Sequence, residues 1–221
     1  MKYISIDIET TGLNSENNTI LSIGAIIEDT TNKLPFEEVP KFNVAILQHQ
    51  ITGSPRAITM NKEVIQLIGE YLEGDMELRN LYNQNSGYKF VDEVDVAKEF
   101  FDFLWSNQIG YELDFNKTVR MIDKKAFPMF GSNTKPILIN VAGKNFGTFD
   151  KLFLEKLPWW KKLIQPKQRI IDPAILCCDW YNDFALPSLT QCKERLEITG
   201  EVTHNALEDA WDVIQVLRKF Y

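Results

Sequence analysis

The chain has 221 residues, 44% of them hydrophobic, and its 31 acidic residues against 24 basic ones give a formal net charge of −7. That length suits one domain with a sizeable core, and the acidic balance argues against a protein that grips long duplexes by neutralising phosphates. No run is long enough to span a bilayer and no charged-then-apolar leader precedes the first strand, so an intracellular, cytoplasmic protein with no membrane partner is expected.

The first element is the strand Tyr3-Ile4-Ser5-Ile6-Asp7-Ile8-Glu9, which runs into the tight turn Thr10-Thr11-Gly12-Leu13. Side chains alternate along a strand, so Ile4, Ile6 and Ile8 share one face while Ser5, Asp7 and Glu9 share the other. The two acids then stand roughly 6 to 7 Å apart on one side of the strand. Like charges at that spacing raise each other's proton affinity, and a divalent cation between them relieves it. A wet outer face is the alternative, weakened by the apolar strand and tight turn around the acids.

Ile20–Ile27 reads as a second strand and Lys41–Leu47 as a third, and segments so closely joined pair as an antiparallel meander. Ser54-Pro55 has the form of an N-cap followed by proline at the first helical position, opening one helix that carries Ile58, Val64, Ile65, Ile68 and Leu72. A second amphipathic helix is expected from about Asp92 to Trp105, with Val96, Phe100, Phe101 and Leu104 as its stripe. Residues from about 108 to 135, rich in turn formers and mixed charge, read as a variable excursion from a single domain spanning 1–221.

Ile137 to Gly143 reads as a buried strand leading through Lys144-Asn145-Phe146-Gly147-Thr148-Phe149 to Asp150, near the start of a helix. A helix dipole alone would favour an acid there by roughly 0.3 to 1 kcal/mol, so Asp150 needs company to count as a site residue. Trp159-Trp160-Lys161-Lys162 interleaves aromatic and basic residues. Packing of both tryptophans against the sheet, with solvated lysines, is preferred over stacking on a single strand. A strand at Arg169–Asp172 and helices near Leu189–Leu196 and Asn205–Phe220 complete the pattern. Cys177, Cys178 and Cys192 are odd in number and form no C-x-x-C pair; they read as buried thiols in a reducing compartment.

Before the last helix stands His204-Asn205-Ala206-Leu207-Glu208-Asp209-Ala210. On one continuous helix His204 and Asp209 would point well apart, so the histidine is expected on a loop just before the helix with Asp209 facing inward. Asp212, one turn further on, reads as helix surface or as support behind a site.

In this order, S-I-D-I-E-T-T-G-L, the segment ending at Asp150, and H-N-A-L-E-D-A resemble the three motifs of the DnaQ-like, DEDDh-type 3′→5′ exonucleases. The resemblance spans nearly the whole chain, with Asp7 and Glu9 in the first motif, Asp150 in the second, and His204 with Asp209 in the third. The second motif departs in one place. The asparagine that the family sets four residues before its aspartate is here Asn145, five before Asp150.

The resemblance implies an α/β, ribonuclease H-like mixed sheet, an antiparallel meander plus parallel strands, flanked by helices. It implies that Asp7, Glu9, Asp150 and Asp209 hold two divalent cations, Mg²⁺ or Mn²⁺, which all-oxygen ligands favour over zinc. His204 would be the general base, a task suited to an imidazole titrating at about 6.5. Thr10, Thr11, Gly12 and Leu13, with Asn145, would receive the terminal nucleotide of single-stranded or frayed DNA or RNA carrying a free 3′ hydroxyl. Several relatives are dimers, so a homodimer is compatible with it. Two other readings share part of the pattern: a ribonuclease H-class endonuclease, which lacks the Thr-Thr-Gly turn and the histidine spacing, and a non-catalytic nucleic-acid-binding module, which typically loses one of these acids.

Overall fold

The expected meander forms. In the computed structural model, which describes residues 1–109, 136–200 and 202–221, β1 (Lys2–Thr10), β2 (Ile20–Asp29) and β3 (Lys41–Leu47) pair antiparallel in sequence. The excursion expected at about 108–135 lies, but for its first two residues, outside the described residues. Two parallel neighbours complete a five-stranded sheet of order β4-β3-β2-β1-β6: β4 (Lys89–Asp92) beside β3, and β6 (Val141–Ala142) beside β1.

The helix expected from residue 54 to 72 is two helices, α1 (Pro55–Met60) and α2 (Lys62–Glu73), with Asn61 between them. Ser54 caps α1 as expected, its hydroxyl accepting from the Ala57 amide. The break has a physical cause in Asn61, whose side chain turns inward to donate to the Thr10 carbonyl at 3.2 Å as well as to that of Ala57. A short amide that finds another backbone partner competes with the helix ladder. A further helix, α3 (Met76–Asn85), capped by Asp75, and the four-residue β4 were not anticipated. Next, α4 (Glu93–Ser106) forms where its apolar stripe predicts, with Val96, Phe100, Phe101 and Leu104 all buried.

The strand expected at 137–143 forms in two pieces that have different partners. β5 (Ile137–Ile139) pairs with β7 (Ile164–Pro166) in a two-stranded parallel sheet, whereas β6 joins β1. Asn140 makes the switch: its carbonyl accepts from the Ile4 amide at 2.9 Å and its side chain donates to the Lys2 carbonyl. The strand expected at Arg169–Asp172 is reduced to one bridge, Ile171 to Ala142. Pro166 has no N–H with which to carry β7 onward, and Lys167 supplies the next bond, to the Ile139 carbonyl.

The remaining helices are α5 (Asp150–Leu154), α6 (Trp160–Leu163), α7 (Pro173–Cys177), α8 (Leu189–Arg195) and α9 (Ala206–Leu217). One face of the sheet packs Ile4, Ile6, Ile8 and Val44 against Phe100, Leu104 and Trp160, and the other packs Tyr3 and Ile26 against Ala210, Val213, Ile214 and Leu217 of α9. The sheet is therefore covered on both sides, and the polar face of β1 lies under α9. Trp160 is buried with its ring 4.9 Å from that of Phe100, and Trp159 packs beside the core with the Lys162 ammonium over its ring, in line with the packing reading. The cysteines are free, but only Cys192 is buried; Cys177 and Cys178 are partly exposed, contrary to expectation. Among the described residues no helix is long and apolar enough to cross a membrane.

Candidate functional site

β1 delivers Asp7 and Glu9 to the same side, as strand alternation requires, and the pairing with β2 shifts register between Glu9 and Thr10. Such an irregularity re-aims the chain where it leaves the ladder. The turn that follows is held on several sides. Thr10 Oγ1 donates to the Gly12 carbonyl at 2.8 Å, Thr11 Oγ1 accepts from the Thr19 amide, and the Thr11 carbonyl accepts from the Ser54 amide at 2.9 Å. Gly53 is needed there, because a Cβ at that position would stand 2.1 Å from the Thr11 carbonyl oxygen. Leu13, at the tip, is 87% exposed, so it contributes nothing to the core and is free to touch a ligand.

Asp150 is the first residue of α5 and is 2% exposed. Asn145 begins the preceding turn in left-handed backbone at φ 58°, a conformation asparagine tolerates better than most residues. Its amide donates to Asp172, its carbonyl accepts from Thr148 and Phe149, and its exposed side-chain oxygen accepts from Lys144. Asp172 also caps α7 by accepting from the Ala174 amide.

His204 lies on the loop before α9, exposed and at φ 55°, and Asn205 caps the helix by accepting from the amides of Leu207 and Glu208. The start of α9 lies hard against β2, where a Cβ on Gly24 would come within 2.2 Å of the Ala206 backbone. That close approach brings Asp209 over the end of β1. Glu9, His204 and Asp209 each offer a ligand atom within 4.8 Å of the others. Asp209 Oδ1 is buried and has no hydrogen-bond partner in the structure.

The acids act on one another electrostatically. Burial, then the charges of Asp150, Asp209 and Glu9, push Asp7 well above the usual carboxylate range. Burial and then the Asp209 charge lift Glu9 to about 8, opposed by a hydrogen bond from Asn61. Burial lifts Asp150 to about 7 against the pull of backbone amides, and lifts Asp209 to about 7 with help from the charge of Asp212. Four carboxylates with raised proton affinity, all hard oxygen donors, one with an orphaned buried oxygen, fit a divalent cation of the Mg²⁺ or Mn²⁺ kind.

Three neighbours of this site have partners remote in sequence. Asn61 is buried beside Glu9, and its one hint is that it interrupts a helical pattern. Buried Tyr88 accepts from the Asn205 side chain at 3.2 Å. Asp212 is not on the helix surface: it is buried and its carboxylate receives the Lys193 ammonium at 2.6 Å.

No protein-family model matches the chain, and no curated protein does. Solved structures do. An exonuclease I from Methylocaldum szegediense superposes with a TM-score of 0.57 at 13% identity, over 98% of this chain and 39% of that one. Escherichia coli exonuclease I, in complex with a dT13 oligonucleotide, superposes with a TM-score of 0.55 at 15% identity, over 99% and 40%. The fold is ribonuclease H-like. In this chain β4, the meander β1-β2-β3 and the parallel neighbour β6 form the sheet, and Asp7, Glu9, Asp150, His204 and Asp209 gather where β1, α5 and the start of α9 meet. The chain spans about two fifths of the length of each of these exonucleases.

Proposed function

We propose that the chain is a single-domain, metal-dependent 3′→5′ exonuclease that hydrolyses single-stranded or frayed DNA or RNA ends to 5′-mononucleotides. The observation that carries this reading is the approach of Glu9, His204 and Asp209 within 4.8 Å, with Asp7 and Asp150 in the same electrostatic field. The ribonuclease H-like fold shared with exonuclease I proteins supports it, as does the oligonucleotide in one of those structures.

Asp7, Glu9, Asp150 and Asp209 would hold the cations. Bound there, divalent cations supply Lewis acidity and counter-charge for the phosphoryl group. His204, outside the core and beside two of the acids, takes the proton of the attacking water, and its position on a loop lets it approach from the solvent side. The fixed turn from Thr10 to Leu13 receives the terminal nucleotide, with backbone groups at the 3′ hydroxyl and Leu13 against the base. A requirement for that hydroxyl is what makes cleavage start from an end.

The test is degradation of matched end-labelled DNA and RNA strands with Mg²⁺ or Mn²⁺. Shortening from the 3′ end to mononucleotides, blocked by a 3′-phosphate, is the expected result. Cleavage of a closed circular strand would overturn the exonuclease reading in favour of an endonuclease.

A further inference from the structure

Among the described residues Lys193 is the one lysine or arginine that is buried, and it sits behind the acids just described. Its ammonium and the Asp212 carboxylate, both removed from water, meet at 2.6 Å and join α8 to α9 one turn beyond Asp209. Such a pair is a poor source of stability. Desolvating two charges costs about what their attraction returns, and apolar residues of similar volume commonly hold such a position as well or better. Its place in the chain suggests another role.

Lys193 is tied to the connection from α8 to α9 at two levels. Its backbone carbonyl accepts from the amides of Ile198, at 2.9 Å, and Leu196. Its ammonium lies under Gly200, which stands in left-handed backbone at φ 98° and whose Cβ, were there one, would be 3.7 Å away. That connection ends at His204. At its far end the Thr203 hydroxyl donates to Glu208 at 2.6 Å, the Thr203 amide supports the Asp209 carboxylate, and Asn205 bonds to Tyr88. One end of the connection is thus fastened to α9 directly, and the other through Lys193 and Asp212.

We propose that Lys193 and Asp212 are positioning residues which hold the His204-bearing connection in register with Asp209, an inference that rests on the nuclease reading of this site. The pair touches neither substrate nor cation. It acts through the histidine, fixing where the imidazole stands relative to the acids, and it keeps Asp212 committed to Lys193 instead of joining the carboxylates one turn away.

The test replaces the pair together, Lys193→Met with Asp212→Leu, so that neither charge is stranded. The double variant should fold with a melting temperature equal to or above the wild type. Amide exchange at Ile198 and Thr203 should quicken by about tenfold or more, and kcat should fall roughly ten- to a hundredfold, the usual effect of losing a group that orients a reactive one, with KM and divalent-cation affinity unchanged. Added to His204→Ala, the pair replacement should cost no further rate, because both act on one step. Unchanged exchange with unchanged kcat, or a loss additive with His204→Ala, would overturn the proposal. If the wild-type chain cuts no nucleic acid, the nuclease reading falls, and the exchange rates still decide whether the pair holds the connection.

Discussion

Glu9, at the end of β1, and Asp209, in the first turns of α9, are 200 residues apart in the chain yet hold carboxylate oxygens within 4.8 Å of each other. The Asp209 charge raises the proton affinity of Glu9 and is the largest influence on it after burial. Two carboxylates so close are tolerated at neutral pH only with a shared proton or a cation.

That strain has a pH signature. Asp150 and Asp209 titrate at about 7 and Glu9 at about 8 in the folded chain, whereas free carboxyls titrate at about 4. A folded-state pKa above the unfolded one contributes stability that is fully present below about pH 4 and is lost as pH rises through the folded value. The metal-free protein is therefore expected to lose melting temperature from about pH 5 to pH 8, and millimolar Mg²⁺ or Mn²⁺ should restore it most at the alkaline end. Thermal melts in chelator and in metal across that range check this. A metal-free melting temperature that rises toward pH 8 would contradict it.

Alanine at Asp7, Glu9, Asp150 or Asp209 should reduce turnover by at least roughly 10²-fold, the scale for losing one group that stabilises transition-state charge. Each substitution also removes one of several mutually repelling charges, so metal-free stability at pH 8 should hold or rise. Steady-state rates and chelated melts on the same samples separate the two effects. A variant with wild-type turnover takes its residue out of the ligand set.

The shared face of Asp7 and Glu9 and the loop position of His204 were legible because strand alternation and the His204 to Asp209 spacing are local geometry, whereas Asp150 stood out only through the motif resemblance. Five residues cannot bring both side chains to one place on a continuous helix, and the chain answers with left-handed backbone at His204 and a cap at Asn205. Hydrophobic pattern likewise announced β1, β2, β3 and α4. Other features depend on partners remote in sequence. Asn140 looks like any polar residue in a buried strand until β1 and β7 compete for its flanks, and the four residues of β4 carry too little pattern to stand out. Asp212 faces Lys193 across 19 residues, so the sequence alone leaves open whether it lies on the helix surface or behind a site.

Asn61 bears on both stability and the site. Asn61→Ala removes its bonds to the Thr10 carbonyl and to Glu9, and a stability loss of about 1 to 2 kcal/mol is expected for buried bonds of this kind. Asn61→Asp should be worse for activity, because it sets another negative charge beside Glu9. Denaturant midpoints and rates for the two variants check the order: equal stability of Asn61→Ala and wild type would show that these bonds contribute nothing.

Leu13 gives the opposite pattern. Being almost wholly exposed, it can be changed to alanine with a stability effect within about 0.5 kcal/mol. If it meets the terminal base, KM for short oligonucleotides should rise several-fold. A Leu13→Ala variant with unaltered kinetics would remove it from the substrate surface.

His204 separates a base from a ligand. The grouping with Glu9 and Asp209 would allow either role by distance alone, but the donor set argues for the base, since four carboxylates already suit hard cations and imidazole is the softer donor. His204→Ala should keep divalent-cation affinity and substrate affinity while losing roughly 10² to 10⁴-fold in rate, the usual worth of a general base. The wild-type rate should fall in acid as the base takes up a proton, and in the variant that limb should vanish while the metal-saturated carboxylates remain ionised. Calorimetric titration with Mn²⁺ and a pH–rate profile for both proteins decide it. If cation affinity collapses in His204→Ala and the residual rate keeps the same acid limb, the histidine is a ligand, and the proton must leave the attacking water by another route.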